Sequence, residues 1–106
     1  MPNDNQAPSG AQDPHRTLKH EVRFLSCDMV TGGMVAAGRA LIGWDQVQLA
    51  ERAGVQRQTL AALEGELRRP QARVRDAVVK ALEGEGVRFV DVGGARGPVL
   101  KFDGEQ

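Results

Sequence analysis

The sequence predicts a mainly α-helical fold of four to five short helices that ends in a C-terminal β-hairpin. Three observations predict it. Apolar residues recur at helical spacing in several stretches between residues 31 and 83, and glycine or proline separates these stretches. After Gly86 the apolar residues take the period of strands, on either side of Gly93 and Gly94. A chain of 106 residues suits a single domain.

The first two helices are predicted from their start and stop signals. Thr31 can cap the first helix, which ends before Gly43. Asp45 and Gln48 form a capping-box pattern at the start of the second helix, which ends at Gly54. Each helix carries an apolar stripe between these signals, so each is expected to bury one face.

The third and fourth helices complete the helical part of the chain. Leu60 and Leu63 have the spacing that keeps one face buried, and they predict a third helix over residues 57–64. A basic loop follows. Pro70 lies where proline is tolerated, at the entry to a fourth helix that runs through Leu82.

The last segment predicts two strands, from Val87 to Val92 and from Val99 to Phe102, around a glycine-rich turn. Two strands alone are marginally stable. We therefore expect the hairpin to pack on the helices or to pair with a second subunit, and for this reason we expect a homodimer.

The N-terminal segment differs in composition from the rest. Residues 1–20 have almost no apolar side chains, which predicts a disordered tail. In residues 21–28, Val22 and Phe24 alternate with other residues and fit a short strand. The predicted organisation is a disordered or partly extended tail over 1–28, a helical domain over 29–86 and a hairpin over 87–106.

The composition of the chain argues against disulfide-bonded, metal-binding and membrane-spanning proteins. Cys27 is the only cysteine, which excludes an internal disulfide and a cysteine-based zinc cluster and favours a reducing cytoplasm. His15 and His20 are five residues apart, which fits neither a helical metal pair nor a zinc finger, so we expect no metal and no cofactor. No apolar stretch is long enough to span a membrane, and the N-terminus has no apolar core of a secretion signal.

Aromatic and nucleophilic residues give no support to other activities. The chain has no tyrosine, three phenylalanines and one tryptophan, too few for RNA-recognition sheets or single-strand binders. Trp44, between two predicted helices, is expected in the core. No cluster of acid, base and nucleophile is present, and we expect no enzyme.

Charge is balanced over the whole chain, with 14 basic and 14 acidic residues. Its distribution is uneven, because residues 29–82 contain eight lysines or arginines against five acids. Phosphate attraction depends on local contacts, so this surplus permits DNA binding without requiring it.

Residues 43–70 combine two short amphipathic helices, the Gly54 hinge between them and a basic loop. Two helices joined by a tight turn can brace each other, so that the second presents its N-terminal side chains to the major groove of DNA. This arrangement predicts a DNA reader.

The same region resembles the Cro/Xre-type helix-turn-helix family of bacterial and phage regulators. The resemblance covers about half the chain. It rests on the order and spacing of Gly43-Trp44-Asp45-Gln46, Leu49-Ala50, Gly54-Val55, Thr59-Leu60, Leu63-Glu64-Gly65 and Pro70. More loosely, Ala81-Leu82-Glu83 and Gly86-Val87-Arg88-Phe89 are similar to small regulators that end in a hairpin.

The resemblance implies a phage-repressor-like fold in which residues 29–86 bind double-stranded DNA. It further implies a sequence-specific transcriptional regulator, with repression at a palindromic operator by a dimer as the expected mode.

Base contacts are implied at the front of the third helix. Arg57 and Gln58 match the family's base-reading positions, where a guanidinium can pair with guanine and an amide with adenine. With Leu60 and Leu63 turned inward, these two side chains and Ala61 fall on or near the outward surface. Ala61 can touch a thymine methyl group but supplies no hydrogen bond. An ordinary solvated helix face is the alternative.

Phosphate contacts are implied at four residues. Gln46 starts the second helix, where its amide can donate to a phosphate, although a solvated glutamine is the alternative. Gln56 stands where the family often has a small hydroxyl residue as a cap; glutamine caps poorly, so we give it a secondary contact. Arg68 and Arg69 fit phosphate contacts in the basic loop, or else weak surface ion pairs with nearby glutamates.

A second function keeps the fold and changes the partner. The chain fits the antitoxin half of a pair, or another protein-interaction module, because a fold alone does not determine function. A partner that purifies in fixed proportion with the chain would distinguish this alternative from a regulator that purifies alone.

Overall fold

The computed structural model describes residues 21–65 and 72–102. Four helices are followed by an antiparallel β-hairpin, which confirms the predicted mainly helical fold. The elements in chain order are strand β1 (Val22–Phe24), a 3-10 turn (Cys27–Met29), helices α1 (Gly32–Leu41), α2 (Gln46–Ala53), α3 (Arg57–Gly65) and α4 (Ala72–Glu83), and strands β2 (Val87–Val92) and β3 (Ala95–Leu100).

The predicted caps of α1 and α2 are present. The Thr31 hydroxyl accepts a hydrogen bond from the Met34 amide at 3.1 Å. At α2, Asp45 Oδ1 accepts from the Gln48 amide at 2.8 Å, and the Gln48 side chain accepts from the Asp45 amide at 2.9 Å, which completes the capping box. Gly54 ends α2 with φ +73°, a left-handed conformation that glycine adopts without a steric penalty.

The core consists of aliphatic and aromatic side chains from all four helices and from β2. Leu60 and Leu63, the predicted inward residues of α3, are fully buried. The other buried members of this core are Val30, Val35, Leu49, Ala50, Val78, Val79, Leu82, Val87 and Phe89. Helix α1 packs against α3 and α2 packs against α4, so α2 and α3 are each supported by another helix of the domain.

The three strands form one antiparallel sheet in the order β1-β2-β3. Gly93 and Gly94 make the two-residue turn between β2 and β3 with φ of +61° and +95°, a geometry that favours glycine. The sheet packs against α1 through a close approach at Gly38. A β-carbon there would lie 3.3 Å from Val87 Cγ1 and 3.4 Å from Phe89 Cζ.

The fold begins earlier in the chain than the composition indicated. The short strand that fits residues 21–28 is present as β1, and it pairs with β2. The Leu25 amide donates to the Phe89 carbonyl at 2.9 Å, and the side chains of Leu25 and Cys27 pack against the core. These apolar contacts attach residues 22–29 to the helical domain, although the sequence placed most of them in the tail.

The hairpin also differs in detail from its prediction. Strand β3 starts at Ala95 and ends at Leu100, so Phe102 lies beyond it. The hairpin gains a third strand and rests on α1 within one chain. Its stability therefore supplies no reason of its own for a dimer.

Some predictions fall outside the described residues. These concern the tail over residues 1–20 with its two histidines, the basic loop with Arg68 and Arg69, and Pro70. Over residues 21–65 and 72–102, no helix has the length and apolar character needed to cross a membrane. In the same ranges, no group of three His, Cys, Asp or Glu side chains is arranged to hold a metal ion.

Candidate nucleic-acid interface

Helices α2 and α3 meet at the turn around Gly54, and α3 exposes the side chains of its first turn. Arg57 and Gln58 are both exposed, whereas Leu60 and Leu63, in the following turns, are buried. Ala61, one turn further along α3, is half-buried. The first turn of α3 therefore carries two long polar side chains on a firmly anchored helix.

Arg57 is linked to Gln46 at the start of α2. Arg57 Nη1 donates to Gln46 Oε1 at 3.0 Å. The amide nitrogen of Gln46 donates in turn to Glu64 Oε1, also at 3.0 Å. Because both ends of the Gln46 amide are engaged, its orientation is set, and the position of Arg57 depends on it.

Glu64 anchors this chain of hydrogen bonds to the domain. Arg39, in the last turn of α1, donates to both carboxylate oxygens, with Nε–Oε2 and Nη2–Oε1 distances of 2.8 Å. Its remaining Nη1 donates to the Trp44 carbonyl at 3.0 Å. The Glu64 side chain is only 6% exposed and that of Arg39 is 20% exposed. Such a two-point pair fixes direction as well as distance.

The electrostatics of the pair favour both charged forms. Burial alone would raise the pKa of Glu64, but the hydrogen bonds from Arg39 and Gln46 and the charge of Arg39 outweigh burial, so the pKa is lowered. The hydrogen bond to Glu64 raises the pKa of Arg39 against the opposing effect of burial. Glu64 is therefore a charged acceptor at neutral pH and holds the Gln46 amide strongly.

The arrangement leaves donors free for a nucleic acid. An amide group has two N–H donors and Gln46 uses one of them on Glu64, so one remains for a phosphate oxygen. Arg57 has five N–H donors and places one on Gln46, so a two-point contact with a guanine edge remains available. Gln56, next to Arg57 in sequence, is exposed at the start of α3.

Arg52, the cationic residue of α2, is engaged within the protein. The Arg52 guanidinium lies 5.0 Å from the centroid of the Trp44 ring and contacts the Glu85 carboxylate at 3.1 Å. Trp44 is half-buried and packs against the core, as the sequence predicts. Arg52 is thus an exposed arginine of α2 with a role in packing, which makes it a natural comparison for Arg57.

Among the predicted site residues, the structure joins Gln46 and Arg57, with Gln58 adjacent and Ala61 one turn further on. Arg39 and Glu64, which form the base of the site, were not among the residues predicted from the sequence. A signal was present, because Arg39 follows Val35 by four residues and Glu64 follows Leu60 by four. Both charged residues therefore occupy inward positions of a helical pattern. A charged residue at an inward position usually has a partner.

Comparison with known proteins adds no assignment: no family model matches the chain, and no curated protein was found that matches it.

Proposed function

We propose that this protein is a sequence-specific, double-stranded-DNA-binding transcriptional regulator that represses by occupying a palindromic operator as a dimer. One observation carries the proposal: the exposed Arg57 at the front of α3 is held by Gln46, which is held by the buried Glu64. A side chain braced in this way is suited to reading a base edge, because less conformational freedom is lost on binding.

In the proposed complex, the N-terminal turn of α3 enters the major groove. Arg57 contacts guanine, Gln58 contacts adenine and Ala61 lies against a thymine methyl group. Gln46 donates its free N–H to a phosphate, next to the positive end of α2. Gln56, together with Arg68 and Arg69 in the loop outside the described residues, makes further phosphate contacts.

Repression in this proposal needs no cofactor and no catalysed reaction, because a regulator bound to the operator blocks the binding of other proteins there. Two copies related by a twofold axis would place their α3 helices in successive major grooves, about 34 Å apart. The single cysteine fits action in the cytoplasm.

The test is selection of bound duplexes from a random DNA pool, followed by a salt titration of the selected duplex against an unrelated one. We expect a selected sequence with two related half-sites and binding that weakens steeply with salt. Replacement of Arg69 by alanine should weaken all duplexes alike and reduce the salt slope by about one. A pool that shows no enriched sequence would overturn the proposal.

A further inference from the structure

The three-stranded sheet has one side packed on the helices and one side turned away from them. Val87 and Phe89 of β2 belong to the buried core. Because successive side chains of a strand point to opposite faces, Arg88, Val90 and Val92 lie on the other side. Strand register places Phe24 opposite Val90 on that side. We call this side the outer face; its large apolar residues are Val22, Phe24, Val90, Val92 and Val99.

Three large apolar side chains on the outer face are open to solvent, whereas Val90 in the middle of the face is only 7% exposed. Phe24 is 73% exposed, Val22 is 61% exposed and Val99 is 45% exposed. Singly exposed apolar residues are normal, but these three share one side of one small sheet. The exposed side chains lie on the two outer strands and flank the buried Val90 of β2. A cluster of exposed apolar residues on one side of a sheet is often functional.

The middle of the outer face carries no charged side chain within the three strands. Within the three strands, Arg88 is the one charged residue on this side. Its Nη1 donates to the carbonyls of Glu83 and Val87, both at 2.9 Å, so the guanidinium points towards the connection between α4 and β2. A face with an apolar centre and no central charge can pack against its own copy without bringing like charges together.

The composition of residues 1–20 offers little apolar surface that could pack on this face. These residues contain only four apolar side chains, those of Met1, Ala7, Ala11 and Leu18. A second copy of the chain brings an equal apolar face, and the formal net charge of zero gives no long-range repulsion between copies.

The size of the outer face indicates how strong the pairing is. From the exposed fractions, the face offers on the order of 300 Å² of apolar surface per copy, or roughly 600 Å² in a pair. A stable interface buries about 1,200 Å² or more. An interface of this size is too small to hold two free copies together firmly. Two copies bound to adjacent half-sites on one DNA duplex would pair more readily, because the DNA raises the effective concentration of each copy for the other.

We propose that the outer face is the contact between two copies of this chain, weak in solution and completed on a two-half-site duplex. The self-association stands without the proposed function, whereas its completion on DNA rests on it. Phe24 is the central anchor, since aromatic side chains bury the most area at such contacts.

Sedimentation velocity over micromolar to millimolar protein concentration tests the contact without DNA. The chain should shift from monomer towards dimer as concentration rises. Phe24→Thr should raise the apparent dimer dissociation constant by about tenfold or more. Phe102→Thr is the matched control, because Phe102 is also 73% exposed but lies beyond β3. Circular dichroism melting verifies that both variants fold.

A chain that stays monomeric at the highest concentration, or a Phe24 variant that dimerises like the parent, would overturn the contact. Co-purification of a different protein that Phe24→Thr releases, without self-association, would overturn it as well. Binding to one-half-site and two-half-site duplexes separates the two proposals. If the chain binds a one-half-site duplex selectively but does not pair, the proposed function stands and the dimer contact fails. If it dimerises through Phe24 but selects no duplex, the dimer contact stands and the proposed function fails.

Discussion

Arg57 and Gln46 lie at the starts of α3 and α2 and are joined by a hydrogen bond of 3.0 Å from Arg57 Nη1 to Gln46 Oε1. The bond connects the residue proposed to read a base with the residue proposed to contact a phosphate. Gln46 in turn rests on Glu64, and Glu64 on Arg39. Base reading and phosphate contact are therefore expected to depend on each other.

Replacing Arg57 and Gln46 singly and together tests this dependence. Arg57→Ala should cost about 1–3 kcal/mol of binding to the selected duplex and relax preference at one base pair. Gln46→Ala should weaken binding and also reduce that preference, because Arg57 loses its brace. The double variant should lose less than the sum of the single losses, by about 0.5 kcal/mol or more. Fluorescence anisotropy with the selected duplex and single-base-pair variants measures all three.

Arg52→Ala is the matched control for Arg57→Ala. Both arginines are exposed, but Arg52 packs over Trp44 and pairs with Glu85. Its removal should change base preference little. If Arg52→Ala and Arg57→Ala lose the same preference, or the two site variants add without coupling, the proposed braced contact is wrong.

Glu64→Gln should destabilise the fold at neutral pH by about 1–3 kcal/mol, because Arg39 loses a buried ionised partner. The pKa of Glu64 is lowered in the folded protein. Its contribution is therefore complete above the unfolded pKa of about 4.3 and is lost as pH falls below that value towards the folded pKa. Urea unfolding over the acid range should show a smaller loss of stability in Glu64→Gln than in the parent.

Glu85→Gln provides the comparison for Glu64→Gln. The Glu85 side chain is 38% exposed and pairs with an Arg52 side chain that is 63% exposed, so solvent screens the pair. Its replacement should cost no more than about 1 kcal/mol. Equal effects of the two substitutions would contradict the structural role assigned to Glu64.

Local sequence signals predicted most of the fold. Thr31, the Asp45–Gln48 capping box and Gly54 set helix ends through contacts that span only a few residues, and such contacts are readable from sequence. Strand β1 was only a weak pattern of two apolar residues. Its existence depends on pairing with β2, some 66 to 70 residues later in the register, which no local signal contains.

The candidate site was predicted in its exposed half and missed in its buried half. Spacing against Leu60 and Leu63 identifies the outward position of Gln58 without any tertiary information. Arg57 is exposed because it is the first residue of α3, where no earlier helical turn covers it. The pair of Arg39 and Glu64 joins α1 to α3 across 25 residues, so its partners are fixed by helix packing. Sequence marks each residue as a charged inward position but does not say which residues meet.

Cys27 should react slowly with iodoacetamide in the native protein. Burial, aided by the hydrogen bond that Sγ donates to Asp76 at 3.0 Å, raises the pKa of this thiol to about 11 from its ordinary value of 9.0. The thiolate fraction near neutral pH falls about 100-fold, and higher intrinsic nucleophilicity offsets part of this, leaving a rate about tenfold lower. Mass spectrometry of alkylation over time measures the rate.

The urea-unfolded chain supplies the reference rate for Cys27, and Asp76→Asn tests the cause. Asparagine keeps an acceptor oxygen but removes the negative charge, so the pKa should fall and the native alkylation rate should rise several-fold. It should stay below the unfolded rate, because burial remains. A native parent that reacts as fast as the unfolded chain would refute the raised pKa.

Gly38→Val tests how closely the sheet approaches α1. A β-carbon at Gly38 would already lie 3.3 Å from Val87 Cγ1 and 3.4 Å from Phe89 Cζ, and valine adds two methyl groups in that space. Overpacking of this kind should lower the free energy of unfolding by about 1–3 kcal/mol in urea titrations. Gly33→Val makes the same change in the first turn of α1, where a β-carbon meets only Thr31 Oγ1 at 3.9 Å, and should change stability by no more than about 0.5 kcal/mol. Equal losses at the two positions would contradict the prediction, because valine is a better helix former than glycine and only overpacking against the sheet distinguishes Gly38 from Gly33.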